Sequence, residues 1–343
     1  MQLPEIIAEI GVNYFEIASR FSLELVDAAK MMVAEAKAAG ATAVKFQIYK
    51  AEKLAAHDSP AYWDLNEEST GSQRELFSRY DKLPVEQYKV ISDYCSEISV
   101  EFMATAFDME SASRINPLVK RHKIASADIT NIELLSHVGS FGKPVILSTG
   151  ASTRGEIATA LDILQQAGTS DITLMHCVLN YPTLPEKANL WRIGALKREF
   201  PELPVGYSDH TRFNRDILYS AWLLGAEVIE KHFTLDKSLK GNDHYHAATP
   251  DDIKELVAHL RSLNTAVGDE TAQLFDASEE ISRKNARRGV YLARDVCSGD
   301  PMKAEDVIFL RPQSDGITPI EWSERLSRQE RYLSDVKSGQ LIR

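Results

Sequence analysis

Pro-Val-Gly-Tyr-Ser-Asp-His at 204–210 and Val-Ile-Glu-Lys-His-Phe-Thr at 228–234 are the runs whose reading decides the fold. Each reads as a strand of a buried parallel sheet, and each delivers a histidine near its C-terminal end, followed by Thr211 or Thr234. A helical segment, about 212–225, separates them. If the strands are neighbours, His210 and His232 meet above the sheet, where paired imidazoles suit a borderline divalent metal. The alternative is two buried, hydrogen-bonded histidines. Side chains alternate along a strand, so Ser208 shares a face with His210, and Glu230 with His232.

Working outward, similar β-rich runs recur at 6–13, 43–50, 101–107, 121–126, 144–150 and 172–178, which makes eight with the first two. Helix signals fill the gaps. Leu23, Val26, Met32, Val33 and Ala36 form one face of a helix over 22–39, with Gly40 placed to end it. Thr130 to Glu133 and Thr153 to Glu156 read as capping boxes, and Thr249-Pro250 starts the helix after the eighth strand. Eight βα units ending near residue 267 match a (β/α)₈ TIM barrel, whereas a doubly wound sheet has fewer strands. The stretch 51–83, rich in polar and aromatic residues, follows strand two and so belongs on the catalytic face, as a lid or specificity loop or as a decorative insertion.

After residue 268 the rhythm stops. The organisation expected is a barrel over 1–268, a polar linker over 269–283 and a small β-rich domain over 284–343, with strand-like runs at 288–292 and 307–310. About 60 residues is near the lower limit for independent stability, so this domain leans on the barrel or on another subunit.

The 39 Lys and Arg against 50 Asp and Glu give a net charge of −11, which argues against a nucleic-acid or anionic-membrane surface. An anionic ligand therefore needs a local cluster of cations. Cys95, Cys177 and Cys297 are too few and too scattered for a disulfide framework, and read as buried thiols. The N-terminus lacks a basic region and carries Glu5 and Glu9, so it does not read as a signal peptide, and no apolar stretch approaches membrane-spanning length. A cytoplasmic protein is expected.

Barrel enzymes build their sites from strand ends. Here those ends supply Glu9, Gly11 and Asn13, then Lys45 and Gln47, Thr105, Lys123 with Ser126, Ser148-Thr149-Gly150, and His176-Cys177 followed by Asn180-Tyr181-Pro182. Buried lysines are costly without a counter-charge or ligand. Lys45 and Lys123 can pair with Glu9 or Glu230, and either could instead form a Schiff base. Together with the hydroxyls and the histidine pair, they suit a phosphorylated or carboxylated substrate, since lysine serves phosphate as a point charge.

Glu9-Ile10-Gly11-Val12-Asn13, Val44-Lys45-Phe46-Gln47, Lys123-Ile124-Ala125-Ser126, Ile146-Leu147-Ser148-Thr149-Gly150, Gly206-Tyr207-Ser208-Asp209-His210-Thr211 and Glu230-Lys231-His232-Phe233-Thr234 resemble the signature segments of the sialic acid synthase family. Asn285-Ala286-Arg287-Arg288 and Leu310-Arg311-Pro312 are similar to the antifreeze-like (SAF) domain that family carries. The resemblance implies condensation of phosphoenolpyruvate with an N-acylated mannosamine-type sugar, giving a nine-carbon sialic acid and phosphate. It implies that His210 and His232 bind a divalent metal, commonly manganese, with magnesium or cobalt as alternatives. Lys45, Thr105, Lys123, Ser126, Ser148 and Ser208 would surround phosphoenolpyruvate, Glu9, Gln47, Tyr181 and Asp243 would lie at the sugar and reacting centre, and Arg311 would reach the other subunit of a domain-swapped homodimer.

The chain departs from the family pattern in places. Asn13-Tyr14-Phe15-Glu16 stands where Asn-His-Asn-Gly is frequent, Leu179 replaces a common Asn or Ser, Gln313 replaces a frequent Gly, and the run 242–246 is histidine-rich, with His244 and His246 as extra ligand candidates. These changes bear on the sugar, leaving legionaminate- or pseudaminate-type synthesis from a diacetamido-trideoxyhexose as the alternative. A Schiff-base aldolase and a non-catalytic carbohydrate or ice binder are rivals from other classes.

Overall fold

The computed structural model of the chain describes residues 2–241, 243–268, 271, 274–311 and 315–343. Asn242, part of the 269–283 connection, Pro312 and Gln313, all singled out above, lie outside the described residues. The chain divides into two compact units, Met1–Gly268 and Asp269–Arg343.

The first unit is a closed barrel of eight parallel strands in sequential order. They are β1 (Glu5–Gly11), β2 (Ala43–Ile48), β3 (Glu101–Ala106), β4 (His122–Ile124), β5 (Val145–Ser148), β6 (Ile172–Cys177), β7 (Val205–Asp209) and β8 (Val228–His232). The strands stop one or two residues short of the ends read in the sequence. The residues left over, Asn13 and His210 among them, stand on the rim instead of in the sheet.

Alternation organises the interior in layers. Ile7, Ala43, Met103, Ile146, Met175 and Val228 form a buried apolar floor. Two residues further along each strand the same inward face turns polar, with Glu9, Lys45, Thr105, Ser148, Cys177, Ser208 and Glu230. Gly206 belongs to this packing, because a Cβ there would meet Met175 Sδ and come within 2.6 Å of the Val228 carbonyl oxygen. The outward faces, such as Val44, Phe46, Leu147, Leu174 and Ile229, pack beneath the helices as the main hydrophobic core.

Behind the rim, on the outward face, Lys231 and Asp209 are completely buried and pair at 2.7 Å. Asp209 also accepts from the Tyr207 hydroxyl at 2.9 Å and from Thr211, while Lys231 donates to the Thr211 carbonyl oxygen. These contacts lock β7 to β8 immediately beside the two histidines.

Several local expectations change. The approach to the first long helix is itself helical, Tyr14–Phe21, because Tyr14, Ile17 and Ala18 form a buried stripe. The chain then turns at Ser22, in the left-handed region, before the helix Leu25–Ala39. Gly40 ends that helix at φ 105° as expected. Thr130 does not cap: the helix Ile132–Gly139 begins one residue later, and the Asn131 side chain accepts from Leu134 N. The boxes at Thr153 and Thr249 do form. Cys95 and Cys177 are buried, but Cys297 is exposed, in a loop of the second unit where its backbone N donates to Asp300.

The second unit pairs β9 (Gly289–Leu292) with β10 (Val307–Leu310) in antiparallel fashion. Its core is Val290, Leu292, Val296, Ile317, Trp322, Tyr332 and Ile342, and buried Asp306 ties Arg294, Lys303 and Tyr332 together. The helix Glu280–Ala286 begins inside the stretch read as a linker and buries none of its side chains. No helix among the described residues is long and apolar enough to cross a membrane.

Candidate active site

The C-terminal mouth of the barrel opens into a cavity of about 420 Å³, a size usual for small-molecule sites. Glu9, Gln47, Tyr181, Asp243, Lys45, Thr105, Lys123, Ser126, Ser148, Ser208, His210 and His232 all line it. Arg311 does not; it is exposed in the second unit.

Two lysines face two glutamates at the base of the cavity. Lys45 Nζ lies 2.7 Å from Glu9 and 3.7 Å from Glu230, and donates to Thr105 Oγ1 at 3.1 Å. Lys123 Nζ has Glu230 at 3.5 Å, Ser208 donates to Glu230 at 3.0 Å, and Gln47 donates to Glu9 at 2.9 Å. The counter-charges expected for the lysines are therefore present. Burial works against charge on Lys45, but Glu230 and Glu9 outweigh it and raise the ammonium pKa. On Lys123 burial wins over Glu230 and the pKa falls. Glu230 goes down, because Lys123 and Lys45 overcome its burial, whereas burial lifts Glu9 against the pull of Lys45. Ser148 Oγ and one oxygen of Glu230 have no hydrogen-bond partner among the described residues, so polar capacity is left over for a ligand.

Ser126 is held in place by both neighbours. Its Oγ accepts from Gly150 N at 2.8 Å and contacts Cys177 Sγ at 3.0 Å. A Cβ on residue 150 would collide with both of those side-chain atoms, so only glycine lets the β5 loop come this close. His176, counted above among the strand-end polar groups, faces the other way. Its Nε2 donates to the Ala188 carbonyl oxygen at 2.8 Å and its ring stacks on Tyr207, because alternation sends residue 177 inward and residue 176 outward.

Above this layer stand the imidazoles. The His210 and His232 rings are 5.6 Å apart, and Tyr181 packs 4.2 Å from His210. His210 Nδ1 donates to the Val178 carbonyl oxygen at 2.7 Å, which leaves Nε2 with its lone pair. His232, Asp243 and His246 offer donor atoms within 4.8 Å of one another. Burial lowers all three histidines, His210 to about 4 and the other two well below the usual value, so the rings are neutral, the form that ligates metals. Burial, reinforced by Glu9 and Glu16, raises Asp243 to about 7. His232 Nδ1 and both nitrogens of His246 are buried without a hydrogen-bond partner among the described residues. Neutral nitrogen donors with unspent lone pairs beside a carboxylate fit a divalent metal of borderline softness.

The two extra histidine candidates separate here. His244 is tied to Thr234 Oγ1 at 2.7 Å and to Glu16 at 3.4 Å, whereas His246 joins the ligand cluster. Sequence reasoning missed the role of Glu16, which lines the cavity and accepts from Tyr80 OH at 2.6 Å. The departure at Asn13-Tyr14-Phe15-Glu16 was the signal available. The 51–83 stretch also lines the cavity, through Leu54, Tyr62, Gln73, Leu76, Phe77 and Tyr80.

Residues 32–272 match the NeuB family. The chain belongs to that family. A Legionella pneumophila relative named N,N'-diacetyllegionaminic acid synthase is 38% identical over 325 residues, 93% of this chain and 88% of its own. A Drosophila melanogaster relative named N-acetylneuraminate-9-phosphate synthase is 35% identical, covering 94% of this chain and 91% of its own. The crystal structure of an N-acetylneuraminic acid synthetase from Leptospira borgpetersenii superposes with a TM-score of 0.70 at 32% identity, over 83% of this chain and 92% of that one. Membership in the NeuB family bears out the resemblance to sialic acid synthases drawn from the strand-end segments, and the closed barrel bears out the expected fold.

Proposed function

We propose that this NeuB-family chain condenses phosphoenolpyruvate with an N-acylated mannosamine-type sugar to give a nine-carbon sialic acid, releasing phosphate. The observation that carries the reading is the vertical order of the site: Lys45 and Lys123 with the hydroxyls at the base, and neutral imidazoles at the rim, two residues beyond Ser208 and Glu230 along β7 and β8. In this reading Lys45 and Lys123 meet the phosphate and carboxylate of phosphoenolpyruvate as charges. The hydroxyls of Thr105, Ser126 and Ser148 donate to the remaining oxygens, and Ser208, whose own proton goes to Glu230, lines the same base. His210 and His232, with Asp243 beside them, would hold a divalent metal such as manganese, magnesium or cobalt, which supplies Lewis acidity toward the sugar aldehyde. C3 of phosphoenolpyruvate bonds to the aldehyde carbon, C2 becomes oxocarbenium-like, water adds there and phosphate leaves. The carboxylates of Glu9 and Glu230 stabilise the positive character at C2, and Gln47 holds Glu9 in place.

The second reading, a diacetamido-trideoxyhexose as sugar, is favoured by the aromatic wall of Tyr49, Tyr62, Phe77 and Tyr80. Such a surface suits deoxygenated carbon better than a row of hydroxyls does. A panel of 2-acylamino hexoses and their diacetamido-trideoxy counterparts with phosphoenolpyruvate, scored for phosphate and product mass, decides between them. Phosphate release with none of the sugars refutes both. Borohydride trapping separates the Schiff-base rival, for which Lys123 is the better placed lysine, since two carboxylates hold Lys45 charged.

Lys123→Met is expected to raise KM for phosphoenolpyruvate by roughly 10- to 150-fold, the loss of a charge-assisted contact of about 1.5–3 kcal/mol. Steady-state kinetics at saturating sugar measure it, and an unchanged KM would remove Lys123 from the anion site.

We extend the proposal to the second unit: an antifreeze-like domain that caps the barrel of a second copy in a domain-swapped homodimer, with Arg311 reaching the sugar, in a cytoplasmic enzyme. Support comes from β10, which leaves Ile308, Phe309 and Leu310 between 43% and 46% exposed just before Arg311. A guanidinium presents several donors to sugar oxygens or an acyl group, a role lysine fills poorly. Mixing the inactive variants Arg311→Ala and His232→Ala should restore partial activity through hybrid dimers. No recovery despite proven subunit exchange would confine Arg311 to its own chain.

A further inference from the structure

We propose that His246 is a third imidazole ligand at the rim, and that it tilts this site toward nitrogen-preferring metals such as cobalt or zinc and away from magnesium. The inference rests on the reading of the rim as a metal site, but concerns a residue outside the histidine pair that ends the strands. His246 is completely buried, its ring is 4.9 Å from that of His232, and its Nε2 lies 4.0 Å from Asp243 Oδ1.

Three observations favour a ligand over a packed core residue. A neutral imidazole carries one donor and one acceptor, and buried polar atoms of this kind almost always find a partner. Among the described residues His246 has none on either nitrogen, while its neighbour His244 is held on both sides.

The backbone also fixes where His246 stands. Ala248 N donates to the His232 carbonyl oxygen at 2.7 Å, and Thr234 N donates to the Ala248 carbonyl oxygen at 3.0 Å, so the loop carrying His246 is stitched to the end of β8. The ring therefore reaches its position through a short, hydrogen-bonded segment, not through a free loop.

Distance is the third point. Donors bound to one ion at about 2.1 Å each are at most about 4.2 Å apart. The donor atoms of His232, Asp243 and His246 already lie within 4.8 Å, so shifts of a few tenths of an ångström by each side chain close the set. His210 lines the same cavity with its ring 5.6 Å from that of His232, so with it the site counts up to three imidazoles and one carboxylate. Imidazole favours the later first-row metals, whereas magnesium prefers oxygen and keeps its water.

The test uses the full-length, metal-stripped protein and the metals themselves. Titration calorimetry with Co²⁺ and with Mg²⁺ is compared between wild type and His246→Gln, and X-ray absorption of the Co²⁺ form counts bound imidazoles. We expect three imidazoles in wild type and two in the variant. The Co²⁺ dissociation constant should rise at least about tenfold, with a smaller change for Mg²⁺. Two imidazoles in wild type, or a variant with unchanged count and affinity, overturns the proposal. If His246→Gln does not fold, the wild-type count decides alone. Three imidazoles without phosphate release from any sugar would leave His246 a ligand and sink the synthase reading. Two imidazoles in an active synthase would do the reverse.

Discussion

His232→Ala is expected to lower kcat/KM by at least about 10³-fold while leaving the protein folded. Several kcal/mol of transition-state charge stabilisation would hang on the metal it helps to hold, and each 1.36 kcal/mol is about tenfold in rate. The size follows from its position between the other donors: its ring is 5.6 Å from His210 on one side and 4.9 Å from His246 on the other. Loss of either outer histidine leaves two imidazoles, but loss of His232 separates the pair that remains. Among the described residues its Nδ1 makes no hydrogen bond and only a 3.6 Å contact to Asp243, so truncation breaks no hydrogen bond there, and urea unfolding should keep a single cooperative transition. The check is initial rate with added manganese alongside a denaturation curve. Activity within tenfold of wild type would place the metal elsewhere.

Lys231→Met should cost about 3–5 kcal/mol of stability, because it leaves Asp209 charged, wholly buried and without its cation. Asp209 would retain Tyr207 OH and Thr211, which soften the loss without neutralising the carboxylate. The double variant Lys231→Met with Asp209→Asn removes both charges and should recover a substantial part of that cost. Chemical denaturation of the single and double variants measures the effect. A single variant within about 1 kcal/mol of wild type would mean that the pair contributes little beyond shape. Because the pair ties β7 to β8, the single variant should also loosen the geometry of His210 and His232, and metal affinity should fall with stability.

The barrel was legible because period-two alternation is strict wherever one face is buried. Once the eight runs are recognised, the same rule names the inward residue at each strand end, and it brought Glu9, Lys45, Thr105, Lys123, Ser148, Ser208, His210 and His232 to one cavity. The rule also shows why His176 was misjudged: a strand end contains both faces, and listing its polar residues ignores which one points in. Loops have no such period. Glu16 and Tyr80 meet across 64 residues of sequence, and His246 reaches His232 because backbone hydrogen bonds fold its loop onto β8. Propensity alone could not choose Asn131 over Thr130 as a cap, since both are good cap residues and the choice falls to the turn that precedes them.

The apolar floor beneath Glu9 and Lys45 closes the interior below, so among the described residues the cavity is reached from the side where the imidazoles stand. In a cavity of that shape depth becomes sequence in time. A compound that must rest on the lysines has to pass the rim before anything is seated there. If phosphoenolpyruvate occupies the base and the sugar the mouth, their addition is compulsory in that order. A dead-end analogue of the sugar should then inhibit uncompetitively against phosphoenolpyruvate, while an analogue of phosphoenolpyruvate should inhibit competitively against it and noncompetitively against the sugar. Random-order patterns would mean that the mouth opens wider in solution than the walls formed by 51–83 allow.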